Sequence, residues 1–335
     1  MYAWYIFCDR PDLQKIKFEI KQRIPAARRA AVIAAIIIWV GYRFTFGPIA
    51  REIPIVGGLR LPAEHMFSGI YDVWHHNRAG HESYLLGKIS NSGFWYYFPA
   101  VLAVKTPVGT LILLIATCAA AIRRRRRELG MALAFAIGIL LVAMPSQINI
   151  GVRHILPIYS AFAVICGVGF ALVIKNRSRW RIPVSVAAGL LLIWQVISSV
   201  GIHPDYLAYT NELAGSKPEN ILADSDLDWG QDMDRLADFF ARAGVTEAAI
   251  STLNSNYGVN LGHQLPKFVP VPNDAPKPGW NAVSVSFLDL NQRPPWAKRI
   301  PPTRRIGRTI FLWYIAPVTQ RNFPGVTPKA ARKAD

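Results

Sequence analysis

Through the first two-thirds of this chain apolar residues neither alternate with polar ones nor recur every three to four positions; they run together. Five runs, roughly 30–49, 98–121, 129–145, 155–174 and 182–200, are expected to be long enough to cross a bilayer, which takes about 20 mostly apolar residues for a helix. The third is short and leans on the residues before Pro145, and the second holds Lys105 and Pro107. After residue 200 the pattern shortens. "NILADS" (220–225), "AAISTL" (248–253), "NAVSVSFLDL" (281–290) and "RTIFLWYI" (308–315) read as strands. "GQDMDRLADFFARAG" (230–244) places Met233, Leu236, Ala237 and Phe240 at helical spacing and ends on glycine. The pattern predicts an α-helical polytopic membrane protein of about five spans with a C-terminal α/β domain. Its divisions are a basic segment at 1–29, a membrane domain at 30–200 with a long loop at 51–97, an α/β domain at 201–320, and a disordered basic tail at 321–335.

Charge refines that picture. The chain has 335 residues, 52% hydrophobic, with a formal net charge of +17. Sixteen of the basic residues fall before the first run, in "RRRRR" (123–127) and between the fourth and fifth runs, against four acidic ones there. The loop at 51–97 balances four basic with four acidic residues, and the region from 201 onward is nearly neutral. Basic loops stay on the cytoplasmic side. The expected topology therefore puts the N-terminus in the cytoplasm and the C-terminal domain outside. Short basic loops between apolar runs explain the charge without nucleic acid. Cys8, Cys118 and Cys166 give no disulfide framework.

Candidate chemistry lies on the expected outer side. The 51–97 loop carries His65, His75, His76 and His81, without the spacing of a zinc site, and among its carboxylates Glu64, Asp72 and Glu82 are candidate general bases. "FWYYFP" before the second run suits an aromatic belt at the membrane boundary. Lys105 inside that run is expensive unless it snorkels or meets an anion. Arg153 and His154, in "PSQINIGVRHILP", sit at the same boundary, where an arginine fork suits a phosphate. Lys105, Arg153 and His154 are thus expected to share a lipid phosphate.

"DSDLDWGQD" (224–232) crowds four aspartates into nine positions. The expected place is a strand-to-helix junction, where open α/β sheets hold ligands. Asp224, Asp226 and Asp228 begin like an EF-hand, but Trp229 and Arg235 stand where such a loop needs glycine and glutamate. A looser divalent-metal site stays open. Asp228 suits a helix N-cap. Trp229 beside acids suits a sugar ring and its hydroxyls, which makes Asp224, Asp226, Asp228, Trp229, Gln231 and Asp232 candidates for binding sugar or acceptor.

Four blocks in one order, "YLLGKISNSGFWYYFPAVLAVKTP" (84–107), "NIGVRHILPIY" (149–159), "HPDYLAYTNELAG" (203–215) and "DSDLDWGQDMDRLADFF" (224–240), resemble the C-terminal half of bacterial polyprenyl-phosphate-dependent glycosyltransferases. These are relatives of the dolichyl-phosphate-mannose protein mannosyltransferases, glycosyltransferase family 39. The resemblance implies a partial GT-C membrane fold. It also implies transfer of a sugar, mannose in that family, from a polyprenyl-phosphate donor to a protein, lipid or glycan acceptor. Lys105, Arg153 and His154 then fit the phosphate clamp. The family's acidic motif in the first outer loop has no counterpart here, so the resemblance implies a truncated enzyme or a separate chain carrying the missing N-terminal spans. The alternative is a membrane protein that binds polyprenyl phosphate or a partner without transferring sugar.

Overall fold

The computed structural model describes residues 13–49, 55, 57–124, 127–175, 179–252, 265–289 and 294–317. The tail at 321–335 and residues 1–12 lie outside the described residues. The chain divides into two compact units, the first ending at Leu227 and the second beginning at Asp228, rather than at residue 201.

In the first unit, helix α1 (Leu13–Gly41) runs through the basic segment into the first apolar run. Pro25 lies inside this helix, and its apolar stretch buries nothing against protein. The loop at 51–97 is more structured than its sequence suggests. Strands β1 (Phe46–Pro48) and β2 (Arg60–Pro62) pair antiparallel. They lead into helix α2 (Glu64–Ala79), which has no buried residue. Strands β3 (Ser83–Leu85) and β4 (Lys88–Ser90) form a second antiparallel pair.

The expected second span is broken. Helix α3 (Tyr97–Lys105) and helix α4 (Val108–Arg124) meet at 117°. The cause is Pro107, which disfavours the helical region for the residue before it; Thr106 is extended, at φ −95°, ψ 132°. The carbonyls freed at the end of α3 need donors, and Asn211 supplies them. Its side-chain amide donates to Ala103 O and Thr106 O, each at 2.6 Å, and its backbone N–H to Val104 O at 2.8 Å.

Helix α5 (Gly130–Ala143) has 14 residues, about 21 Å at 1.5 Å per residue, which falls short of a hydrocarbon core of about 30 Å. Helices α6 (Ile158–Lys175) and α7 (Arg181–Gly201) complete the set. Instead of five spans, three described helices, α1, α6 and α7, are long and apolar enough to cross a membrane, or four if the bent pair is one span. Leu114, Ala121, Leu129 and Ile165 form the core between α4, α5 and α6. Small residues allow close approach, as membrane helices favour. A Cβ on Gly169 would strike Thr117, and one on Gly109 would strike the Leu191 carbonyl.

The second unit begins with helix α8 (Met233–Arg242) and strand β5 (Glu247–Ser251). Strand β6 (Lys267–Val269), strand β7 (Gly279–Ser284) and helix α9 (Val285–Asp289) follow. Strands β8 (Arg304–Ile306) and β9 (Ile310–Ile315) end it. The sheet order is β6-β5-β7-β9-β8. β5 lies parallel to both β6 and β7, and β9 antiparallel to β7 and β8. Side chains alternate across the sheet. Ile250, Ala282 and Leu312 pack under Met233, Leu236 and Phe240 of α8, while Ala249, Val283 and Trp313 pack with Leu288 and Trp296 on the other face.

Two expected strands change. Residues 281–290 form a strand only to Ser284, after which the chain turns into α9. Residues 220–225 form no strand at all. Leu222 and Ala223 are buried, but the segment is made of short 3-10 turns at Pro218–Asn220 and Asp224–Asp226. The aspartates therefore do not follow a strand.

Candidate functional site

The four aspartates of "DSDLDWGQD" belong to two different units and do four different things. Asp226 is fully buried in the first unit. Its Oδ2 accepts from Tyr97 O–H at 2.8 Å and its Oδ1 from the Val152 N–H at 2.8 Å. Its main-chain oxygen accepts from the Lys105 ammonium. Lys105 also donates to Leu207 O at 2.7 Å and Tyr209 O at 2.9 Å. An ammonium has three N–H donors, and all three are spent inside the protein. This corrects the expected role of Lys105 as a phosphate ligand. It is a buried staple joining α3 to the 206–226 segment, at a helix C-terminus where positive charge is favoured.

The same staple fixes the turn at Val152–Ile155. Ser225 Oγ donates to Ile150 O. Gly151 has φ +142°, and a Cβ there would lie 3.0 Å from Ser225 Oγ and 3.5 Å from Asp226 Oδ1, so only glycine lets the two turns meet. Arg153 and His154 emerge from this turn, exposed. Partial burial and the Arg153 charge push His154 below the ordinary imidazole range, against the pull of Asp226, so it is neutral at pH 7.

Asp224 is the aspartate that these contacts leave partly open. Its backbone is left-handed, at φ +55°, a conformation uncommon outside glycine and asparagine or aspartate that marks many functional positions. Burial lifts its carboxyl above the ordinary range; the Ser225 N–H, His81 and Arg153 oppose that shift and Asp226 adds to it. His81 Nδ1 lies 2.8 Å from Glu82 O. A carbonyl only accepts, so Nδ1 carries a proton. Asp224 thus lies partly exposed within the electrostatic reach of Arg153 and His81, a cluster framed by the Asp226 staple.

The other expected bases stand apart from it. Glu64 opens α2, with His65 Nε2 3.4 Å from Oε1 and a buried Oε2 that has no hydrogen-bond partner. Asp72 is exposed on the same helix and Glu82 is half-buried before β3. None of the three is among the charges acting on Asp224.

In the second unit Asp232 is a structural clamp. Its Oδ2 accepts from Arg308 N at 2.8 Å, Thr309 N at 2.9 Å and Thr309 O–H at 2.8 Å, and its Oδ1 from Arg235 at 2.6 Å. Gly307 has φ +54°, and a Cβ there would overlap this carboxylate. Gly307→Val should therefore cost about 3 kcal/mol or more, read as a lower midpoint in thermal unfolding of the sheet unit; an unchanged midpoint would refute the clamp.

Asp228 is not the N-cap of α8, which starts at Met233 after Asp232. It is buried and accepts from Gly230 N–H at 3.0 Å. Burial pushes it above the ordinary carboxylate range, opposed by the Gly230 N–H and the Ser284 and Ser286 hydroxyls. An acid raised in the folded state weakens folding as pH climbs past its unfolded value of about 4. Asp228→Asn should raise the melting temperature at pH 7 and leave it unchanged near pH 3; equal shifts at both would exclude an ionisation cost.

Trp229 is exposed, and Gln231 Oε1 accepts from its backbone N–H at 2.7 Å. Of the six residues expected to bind sugar or acceptor, Asp226 and Asp232 are committed to protein donors. Asp224 and Trp229 present themselves to solvent from separate units. Among the described residues no three His, Cys, Asp or Glu side chains converge on a metal position. Asn211 was given no role in the sequence reading, His81 was read only as one of four loop histidines, and Tyr97 only as part of a belt. Tyr97 lay within an aromatic run that suits a membrane belt, and only its burial separates it from exposed Trp95. No family model, no curated protein and no solved structure matches this chain, so its chemistry has to be read from the Asp224 cluster and the apolar helices beside it.

Proposed function

We propose that this chain transfers a sugar, mannose in the family it resembles, from a polyprenyl-phosphate donor to a protein, lipid or glycan acceptor. The setting is the outer face of a bacterial cytoplasmic membrane, with the N-terminus cytoplasmic. The observation that carries the reading is the Asp224–Arg153–His81 cluster, set in a unit whose helices are apolar enough to span a bilayer. In the reaction the acceptor oxygen forms a bond to the sugar C1 as the C1–O bond to the lipid phosphate breaks. Asp224 takes the acceptor's proton, acting as general base. Arg153 holds the departing phosphate through a bidentate pair, and neutral His154 adds a hydrogen bond without a second charge. Lys105 acts only by fixing the turns that present them.

The test is the full chain in lipid nanodiscs with radiolabelled polyprenyl-phosphate mannose and a membrane acceptor extract. Release of lipid phosphate, abolished in Arg153→Ala, is the expected result. Donor binding without release would leave the other reading, a protein that binds the lipid and transfers nothing.

A further inference from the structure

Beside the clamp at Asp232, between α8 and β8, the second unit opens a cleft of about 540 Å3, within the range of small-molecule sites. Its lining includes Arg235, Arg242, Arg304 and Arg305, against the single acid Asp238. The arginines come from two elements that are adjacent only in the folded unit: Arg235 and Arg242 are seven positions apart on α8, and Arg304 and Arg305 open β8. Arg242 faces Asp238 at 3.9 Å, with both side chains exposed, a pairing of little energetic weight. Arg304 lies over the face of Phe239 at 5.2 Å. Phe239 in turn is held edge-on by Trp280 at 5.2 Å. Stacking occupies the face of a guanidinium and leaves its N–H fork in the ring plane, the geometry that grips two oxygens of one anion.

From this cleft we infer a second anion site, one that takes a phosphate monoester or diphosphate group. Arg235 is held by Asp232 and Arg305 by the Arg308 carbonyl, yet the four guanidinium charges still outnumber Asp232 and Asp238, an excess that suits a multiply charged anion better than a lone carboxylate, and the volume leaves room for what the phosphate is attached to. The site is separate from the Asp224 cluster and stands whether or not the chain transfers sugar. The phosphate can come from a lipid headgroup or from a soluble ligand.

The test uses the full chain in maltoside micelles carrying Arg153→Ala, so that the proposed donor site does not contribute. Titration calorimetry with inorganic pyrophosphate, and separately with dihexanoyl phosphatidic acid, should show binding that weakens at least tenfold in Arg242→Gln/Arg304→Gln. Dihexanoyl phosphatidylcholine should not bind. Tighter binding of the short-chain lipid would assign the site to a headgroup, and tighter binding of pyrophosphate to a soluble phosphate. Asp238→Asn keeps every arginine and should tighten binding two- to threefold, which covers the case in which the double variant fails to fold. No binding of either probe, or affinities unmoved by these substitutions, would overturn the site.

Discussion

Asp226→Ala should melt the first unit's polar core, with a loss of about 3–5 kcal/mol, the range for removing one partner from a buried charged network. The substitution leaves the Tyr97 O–H and the Val152 N–H without acceptors in a place that water does not reach. Each orphaned donor costs about 1–3 kcal/mol. It also removes the negative charge that offsets the buried Lys105 ammonium. Asp226→Asn is the control. Its amide oxygen still accepts from Val152, and the Tyr97 hydroxyl can rotate to accept from the amide nitrogen, so the loss should fall to about 1–2 kcal/mol. Lys105→Met should destabilise too, because the Leu207, Tyr209 and Asp226 carbonyls lose their shared donor. Thermal unfolding in detergent, followed by intrinsic fluorescence, reads all three. If Asp226→Ala melts with the parent protein, the network does not hold the fold.

What the sequence made legible follows from the range of each interaction. Apolar runs are local, so the helices at 155–174 and 182–200 appear almost where they were expected. Alternation is local as well, and it marks β5, β7 and β9. The break at Thr106–Pro107 is less readable. Proline inside an apolar run either kinks a helix or ends it, and here the outcome is settled by Asn211, more than a hundred positions away. Helix α2 buries no residue, and its segment was read only as loop.

The aspartates mislead for a different reason. Their spacing suggests one shared ligand, yet the boundary between the two units falls between Asp226 and Asp228. Each acid serves the unit it belongs to. Lys105 is compensated, as a lysine in an apolar run must be, but by backbone carbonyls rather than by the expected phosphate. Backbone carbonyls can satisfy an ammonium as well as a phosphate does, and nothing in the spacing of residues distinguishes the two. Arg153 and His154 were expected at the outer membrane boundary; the structure shows them exposed in a 3-10 turn, and the acid on which the Arg153 charge acts, Asp224, was visible only as one of four.

Asp224→Asn should lower kcat for sugar transfer by about 10²–10³, at or a little below the usual effect of losing a general base, with the melting temperature unchanged or slightly higher. Asparagine is chosen because it tolerates the left-handed backbone that residue 224 adopts, so a loss of rate cannot be laid to backbone strain as it could with alanine. The sign of the stability effect follows from the raised carboxyl. Between its unfolded value, about 4, and its higher folded value, the folded state holds more protons than the unfolded one, so stability falls as pH rises through that window. Asparagine has no charge to bury and escapes that loss. The two variants therefore move in opposite directions: Asp226→Asn should lose activity only as far as it loses folded protein, whereas Asp224→Asn should stay folded and stop working. For the parent protein the rate should rise with pH through a pKa above the ordinary aspartate range, because the base must be ionised to accept the proton. That rise should vanish in Asp224→Asn. A variant that keeps full kcat, or a pH profile it does not alter, would remove Asp224 from the chemistry and leave its unusual backbone as a device for joining the two turns.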